Sequence, residues 1–347
     1  MGTVGFITDE ADHWNREPYK FASMALFTGM AFMQLINDNF TKWGTVFNYE
    51  TTIYDANMDY DGYINQIQVY ADQGYDALLC GMDIALIPRI YELTQELKMP
   101  VVGMPTAFTD SENHMIWPSV QQDDNANSTM CMQWLSDNYK NYWKDPLDQS
   151  KLGMIAITFS PVSGVNARIP GFENTFKKLF PEAAKNYILC DLVTNANGFS
   201  QQAANEMTAA TIAAHPEITK WFICAAVDDM AIGAERAVEA MNKTADVLIV
   251  SCQADAFISE MDANPTKGSY VAANGLSTVE LTGYCAANLV AILEGRVTAQ
   301  TVWPEYVAAG DQFPCIYVKG TMITKETYKD WLAKNSFEYV AKDMKQG

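Results

Sequence analysis

Histidine is scarce in this chain. His13, His114 and His215 are the only three in 347 residues, and none sits in a cluster with cysteines or acids at metal-ligand spacing. A zinc enzyme is thereby unsupported. No G-x-S-x-G nucleophile elbow is present, so a hydrolase lacks its activated serine. No glycine-rich turn follows the first apolar run, "TVGFIT", so a bound dinucleotide would have no phosphate cradle. No apolar run approaches the roughly 20 residues of a membrane span. Basic residues are few: 23 Lys and Arg stand against 42 Asp and Glu, a formal charge of −19 that argues against nucleic acid or anionic lipid as a partner. The seven cysteines are scattered in apolar surroundings ("LLCG", "YILCD", "WFICAA", "VSCQA"). Their number is odd and their spacing fits no metal site, so they read as reduced core residues rather than a disulfide framework. No charged n-region, apolar h-region and cleavage site open the sequence, which leaves a cytosolic protein or one whose leader has been removed.

What is present is a soluble, globular composition, 49% hydrophobic and 12% aromatic, long enough for two lobes with separate cores. Strand-like and helix-like segments alternate. "TVGFIT" reads as a first strand, residues 19–40 as an amphipathic helix, and residues 45–55 as a second strand. The rhythm continues with a helix in "GYINQIQVYADQG", the strand "DALLCG", a helix over 85–97 and the strand "PVVGMP". After Gln121 it starts again, with strands "LGMIAITF", "NYILCDLV", "KWFICAA" and "DVLIVSC" separated by helices. Each βαβ step of about 20–30 residues implies a right-handed crossover and a parallel sheet. The fold class is therefore α/β, with two doubly wound Rossmann-like lobes.

The stretch "NMDYDGYINQIQ" (57–68) looks like a calcium loop. Asp59, Asp61 and Gly62 fall at EF-hand positions, but Asn57 and Gln68 stand where charged ligands are needed. Helix capping accounts for the acids without a metal. Neither a metal nor a cofactor is expected, and catalysis is not.

Several stretches narrow the class: "YADQGYDALLCG", "MPVVGMPT", "NARIPGFENTF", "FICAAVDDMAIGAERAVEA", "DVLIVSCQADAFISEM" and "ITKETYKDW". In that order, over about residues 3–333, they resemble the type I periplasmic binding proteins, particularly the ribose/galactose-type sugar-binding components of ABC transporters. "VDDMAIGA" and "NARIPGF" are the most specific. The resemblance implies two lobes joined by three hinge crossings, comprising residues 1–121 plus 275–313 and residues 122–274 plus 314–347. It implies that they close like a clamshell on one small ligand, the ligand shifting an open–closed population. It also implies a monomer that delivers its ligand to a membrane permease from a periplasmic or extracellular, membrane-anchored position, the leader having been removed. A sensory module passing closure to a signalling partner is the alternative. A repressor of the same fold would need a DNA-binding headpiece, which is not seen here.

Carried over position by position, the family pattern implies ligand contacts at Arg168, before Gly-Phe; at Asp228, which opens a helix; at Asn274 in "YVAANG"; and at Phe199, as a stacking aromatic. Trp14 is the expected aromatic of the opening βα loop. The pattern departs at Gln253, where an acid is usual, and at Pro105 and Thr106, which replace an acidic–basic pair; Val227 stands where Asn is common. Thr106 and Gln253 are retained as expected contacts in a less anionic pocket. Planar Asp, Asn, Gln and Arg groups form paired hydrogen bonds with neighbouring hydroxyls, and an aromatic ring covers a C–H patch. Arg168 and Asp228 are expected to compensate one another's charge before a small neutral guest: a monosaccharide, polyol or nucleoside. Each residue also has a plain structural role open to it. Arg168 would serve as a helix-start ion pair, Asp228 as a cap, Phe199 and Trp14 as packing, and Gln253 and Asn274 as turn or hinge residues. Asp123 and Asp124 are assigned to capping and the hinge.

Overall fold

Tyr19–Ala25 (YKFASMA) forms β1 in the computed structural model, which describes residues 13–29, 31–264 and 268–346. The expected strand "TVGFIT" lies outside the described residues. The helix expected from residue 19 instead begins as α1 at Ala31–Phe47, and β2 is Tyr49–Asp55. The cause is physical: β1 is buried from Phe21 onward, and a continuous apolar run has no period that separates strand from helix.

The chain divides into two units. The first contains the described residues up to Gln122, Ser277–Val318 and those from Leu332 onward. Its further elements include α2 (Tyr60–Asp72), β3 (Ala77–Gly81), α3 (Ile87–Leu97), β4 (Val101–Gly103), β5 (Ser119–Gln122), α9 (Thr278–Leu293) and β11 (Cys315–Val318). The sheet runs β11-β5-β4-β3-β1-β2, all parallel. Phe21 stacks on Tyr49 with centroids 4.4 Å apart. The buried Trp43 indole donates to the Val279 carbonyl at 2.9 Å, tying α1 to the helix Thr278–Leu293.

The second unit spans Asp123–Leu276 and Lys319–Trp331. It contains α4 (Asp124–Tyr142), β6 (Leu152–Thr158), α5 (Ile169–Leu179), β7 (Tyr187–Asp191), α6 (Gln201–Ala214), β8 (Lys220–Ala225), α7 (Asp228–Ala240), β9 (Val247–Cys252), α8 (Asp255–Ala263), β10 (Tyr270–Gly275) and β12 (Thr321–Thr324). Its sheet order is β12-β10-β9-β8-β6-β7, parallel except for β12 against β10. The strands β6 and β9 are buried at every residue, as strands covered on both faces must be. Trp143 stacks on Phe222 at 5.2 Å in the core.

The C-terminal part of the chain departs from the expected division at 314. β11 (Cys315–Val318) pairs with β5, which keeps it in the first unit. After the helix α10 (Tyr328–Lys334), helix α11 (Phe337–Gln346) also returns there, with Phe337 edge-on to Trp43 at 5.0 Å. All seven cysteines are buried free thiols. No described helix is long and apolar enough to cross a membrane.

Candidate functional site

In doubly wound sheets ligands bind outside the carboxyl ends of the strands, where the strand order reverses. In the second unit that point lies at β6, whose neighbours are β7 on one side and β8 on the other. Arg168 sits there, immediately before α5, and is only 2% exposed. Its Nε donates to Asp124 Oδ1 at 2.8 Å, and its Nη1 donates to the Ala226 carbonyl just past β8. The guanidinium thus spans the switch point. Burial by itself would lower its pKa; the Asp124 carboxylate, aided by Asp228, reverses this and raises it. The ion-pair partner of Arg168 is therefore Asp124, not Asp228 as the sequence suggested. Asp123 does the capping of α4, accepting from the Ala126 N–H at 2.9 Å.

Asp228 opens α7 and is buried. Its carboxylate accepts from the backbone N–H of Asp229 at 3.1 Å and of Ala256 at 2.6 Å, so it also holds the start of α8. Burial, then the neighbouring Asp255, push its pKa up to about 7. Asp255 is itself raised to about 6 by burial and Asp229. A carboxyl raised on folding binds more protons folded than unfolded between about pH 4 and 7, so its contribution to stability falls as pH rises through that window. Asp228→Asn is expected to flatten this dependence by about 3 kcal/mol between pH 5 and pH 8. Urea unfolding at pH 5 and pH 8 measures it; an unchanged difference between the two pH values would contradict the assignment.

Gln253 ends β9 in a left-handed conformation (φ 72), an uncommon state for a residue other than glycine and a local strain of about 1–3 kcal/mol. The Ser251 hydroxyl donates to its carbonyl at 2.8 Å, and a backbone bridge joins it to Asn274. Asn274 on β10 is 1% exposed, and among the described residues its Nδ2 meets thioether sulfurs, Met130 at 3.4 Å and Met322 at 3.8 Å. Thioethers accept weakly, so this buried amide is poorly satisfied by the protein. Gly320 is required beside it: a Cβ there would lie 1.8 Å from Asn274 Oδ1. Phe199, half-buried before α6, stacks on Phe159 at 5.1 Å and 19°, and Phe159 directly follows β6.

The two expected contacts of the first unit fare differently. Thr106 is half-buried just past the carboxyl end of β4. Trp14 is 56% exposed and precedes β1, so it lies at the amino side of that sheet, where Asn48 Nδ2 donates to the neighbouring His13 carbonyl at 2.9 Å. The expectation placed it after "TVGFIT"; with β1 at Tyr19–Ala25, the opening βα loop carries Phe27 instead, 46% exposed. In the same region Asp55 accepts from the backbone N–H of Thr28 at 3.2 Å and of Asn57 at 2.8 Å. Asp59 caps α2, accepting from the Gly62 N–H at 2.9 Å. Among the described residues no three His, Cys, Asp or Glu side chains converge as metal ligands would.

The two doubly wound units, each with polar groups gathered past its parallel strands, define a two-lobed α/β binding-protein architecture. A protein-family model, the periplasmic binding protein domain, matches residues 21–306. The chain belongs to that family. Comparison with curated protein sequences gives no match. Among solved structures it is similar to the periplasmic binding protein component of the arabinose ABC transporter from Shewanella sp. ANA-3, with 18% identity, TM-score 0.67 and coverage of 93% of this chain and 97% of that one. It is also similar to the 5-methylthioribose transporter solute binding protein from Thermotoga lettingae TMO, with 15% identity, TM-score 0.67 and 94% of each chain covered. A third is an ABC transporter solute binding protein from Bacillus halodurans C-125 with bound myo-inositol, with 15% identity, TM-score 0.65 and 92% and 98% covered.

Proposed function

We propose that this protein is the solute-binding component of an ABC transporter and captures a small neutral polyol, most simply a monosaccharide. The observation that carries the reading is the bond from Arg168 to Ala226 across the switch point, two residues before Asp228. It anchors the Arg168 guanidinium at the end of β8, on the same short connection that leads to the buried Asp228 carboxyl. A ring of hydroxyls offers donors to the carboxyl and acceptors to the guanidinium. The similar proteins serve arabinose or 5-methylthioribose transport or hold bound myo-inositol, all hydroxyl-rich and of comparable size. On this reading Gln253, Asn274 and Phe199 are further ligand contacts in the second unit, Thr106 is the polar group offered past β4 of the first, and Trp14 is not a contact. No cofactor and no catalytic step are involved. The protein acts as a monomer outside the cytoplasm and hands its guest to a membrane permease.

Thermal-shift screening with L-arabinose, D-ribose, D-galactose, myo-inositol, 5-methylthioribose and nucleosides tests the reading. A binder at a hundredfold excess over its Kd stabilises by about 2.7 kcal/mol, a rise in Tm of several degrees. A shift from amino acids or peptides, with none from any polyol, would overturn it.

A further inference from the structure

On the proposed saccharide site we infer that Asp124 is a positioning residue, which fixes the Arg168 guanidinium for the guest without touching the guest. Asp124 opens α4 directly after Asp123, yet the cap of that helix uses Asp123. The carboxylate of Asp124 is thereby left for Arg168, whose side chain is 3% exposed against 21% for Asp124. A guanidinium is planar and carries five donors. Two bonds in different directions, Nε to Asp124 and Nη1 to Ala226, set its plane, and on this inference Nη2 is the donor that meets the guest. The backbone enforces this arrangement, because Gly171 on α5 lets Ser128 and Asn125 of α4 approach as no side chain would. Asp124 also lies two residues past Gln122, where the chain passes from the first unit to the second. The acid that aims the ligand-facing cation therefore stands where the chain has left β5 of the first unit and opens α4 of the second.

Two readouts test this on the full chain. The first needs no ligand: the Arg168 Nε–H resonance, assigned by its loss in Arg168→Lys, is expected to exchange slowly with water. In Asp124→Ala it is expected to exchange at least about tenfold faster, with Asp124→Asn between the two, since Asn keeps an acceptor but not the charge. Unchanged exchange in Asp124→Ala overturns the positioning role. The second is titration calorimetry with L-arabinose, myo-inositol and 5-methylthioribose. Loss of the charge-assisted bond is expected to weaken affinity about tenfold or more in Asp124→Ala, and less in Asp124→Asn. Faster exchange with unchanged affinity overturns the claim that the positioning serves the guest, while leaving the saccharide site standing. If wild type binds none of the three, nor D-ribose, D-galactose or a nucleoside, the saccharide reading falls, and the exchange measurement still decides whether Asp124 holds Arg168. Asp124→Asn guards against a folding failure of the alanine variant.

Discussion

Arg168→Ala is expected to abolish the saccharide-dependent rise in Tm and to destabilise the unliganded protein by about 2–4 kcal/mol. Removing one partner of a buried pair leaves the other charge unpaired, which costs about 3–5 kcal/mol when both are fully enclosed. Asp124 keeps 21% of its side-chain surface exposed, so water relieves part of that. The Ala226 carbonyl loses its donor as well. Arg168→Lys separates the two effects. It keeps the charge beside Asp124 but cannot serve Asp124, Ala226 and a guest from one fork, so it is expected to recover stability more than affinity. Urea unfolding and thermal shift on the same preparations read both. A saccharide response that survives in Arg168→Ala would mean the site has been placed wrongly.

Gly171→Val is expected to destabilise the protein by about 3 kcal/mol and to weaken the ligand response at the same time. A Cβ at this position would lie 2.0 Å from Ser128 Oγ, 2.6 Å from the Asn125 carbonyl oxygen and 2.9 Å from the Thr129 nitrogen. The hydroxyl can rotate away; the two backbone atoms cannot. Helices α4 and α5 must separate, and the fully buried Phe172 and Phe176 then lose packing. Because Asp124 opens α4 and Arg168 precedes α5, the same separation lengthens their ion pair. Gly171→Ala carries the Cβ too and is expected to show the same sign at smaller size. A cost below about 1 kcal/mol for the valine variant in urea unfolding would contradict the close approach.

The glycine was visible in the sequence only as part of "NARIPGF", and its reason lies in α4, some forty residues earlier. This is the general pattern of what could be read. Strand–helix alternation is local, so the elements from α2 to β4 and from α4 to β9 were legible within a residue or two, while the short strands β5, β11 and the antiparallel β12 were not, four residues being too few to show a period. The family resemblance carried by "NARIPGF" and "VDDMAIGA" singled out Arg168 and Asp228, each at a helix start. The first strand was not legible. The run Phe21–Ala25 is buried throughout, and its Met and Phe spacing continues into a true helix at Ala31. That one error moved the opening βα loop and with it the expected aromatic, from Phe27 to Trp14. Asp124 was hidden for a different reason. In "QQDDN" two adjacent acids look like equivalent caps, and only the fold shows that one binds Ala126 and the other Arg168. The thioether surroundings of Asn274 come from Met130 and Met322, 144 and 48 residues away, beyond the reach of any local pattern.

The most direct measurement is a crystal structure of the protein with the saccharide that raises its Tm most. The expected density lies past the carboxyl ends of β6, β8 and β9, with the Arg168 guanidinium and the Asp228 carboxyl each within hydrogen-bond distance of a ring hydroxyl. A saccharide bound elsewhere, with both groups untouched and their apo partners unchanged, would contradict the account.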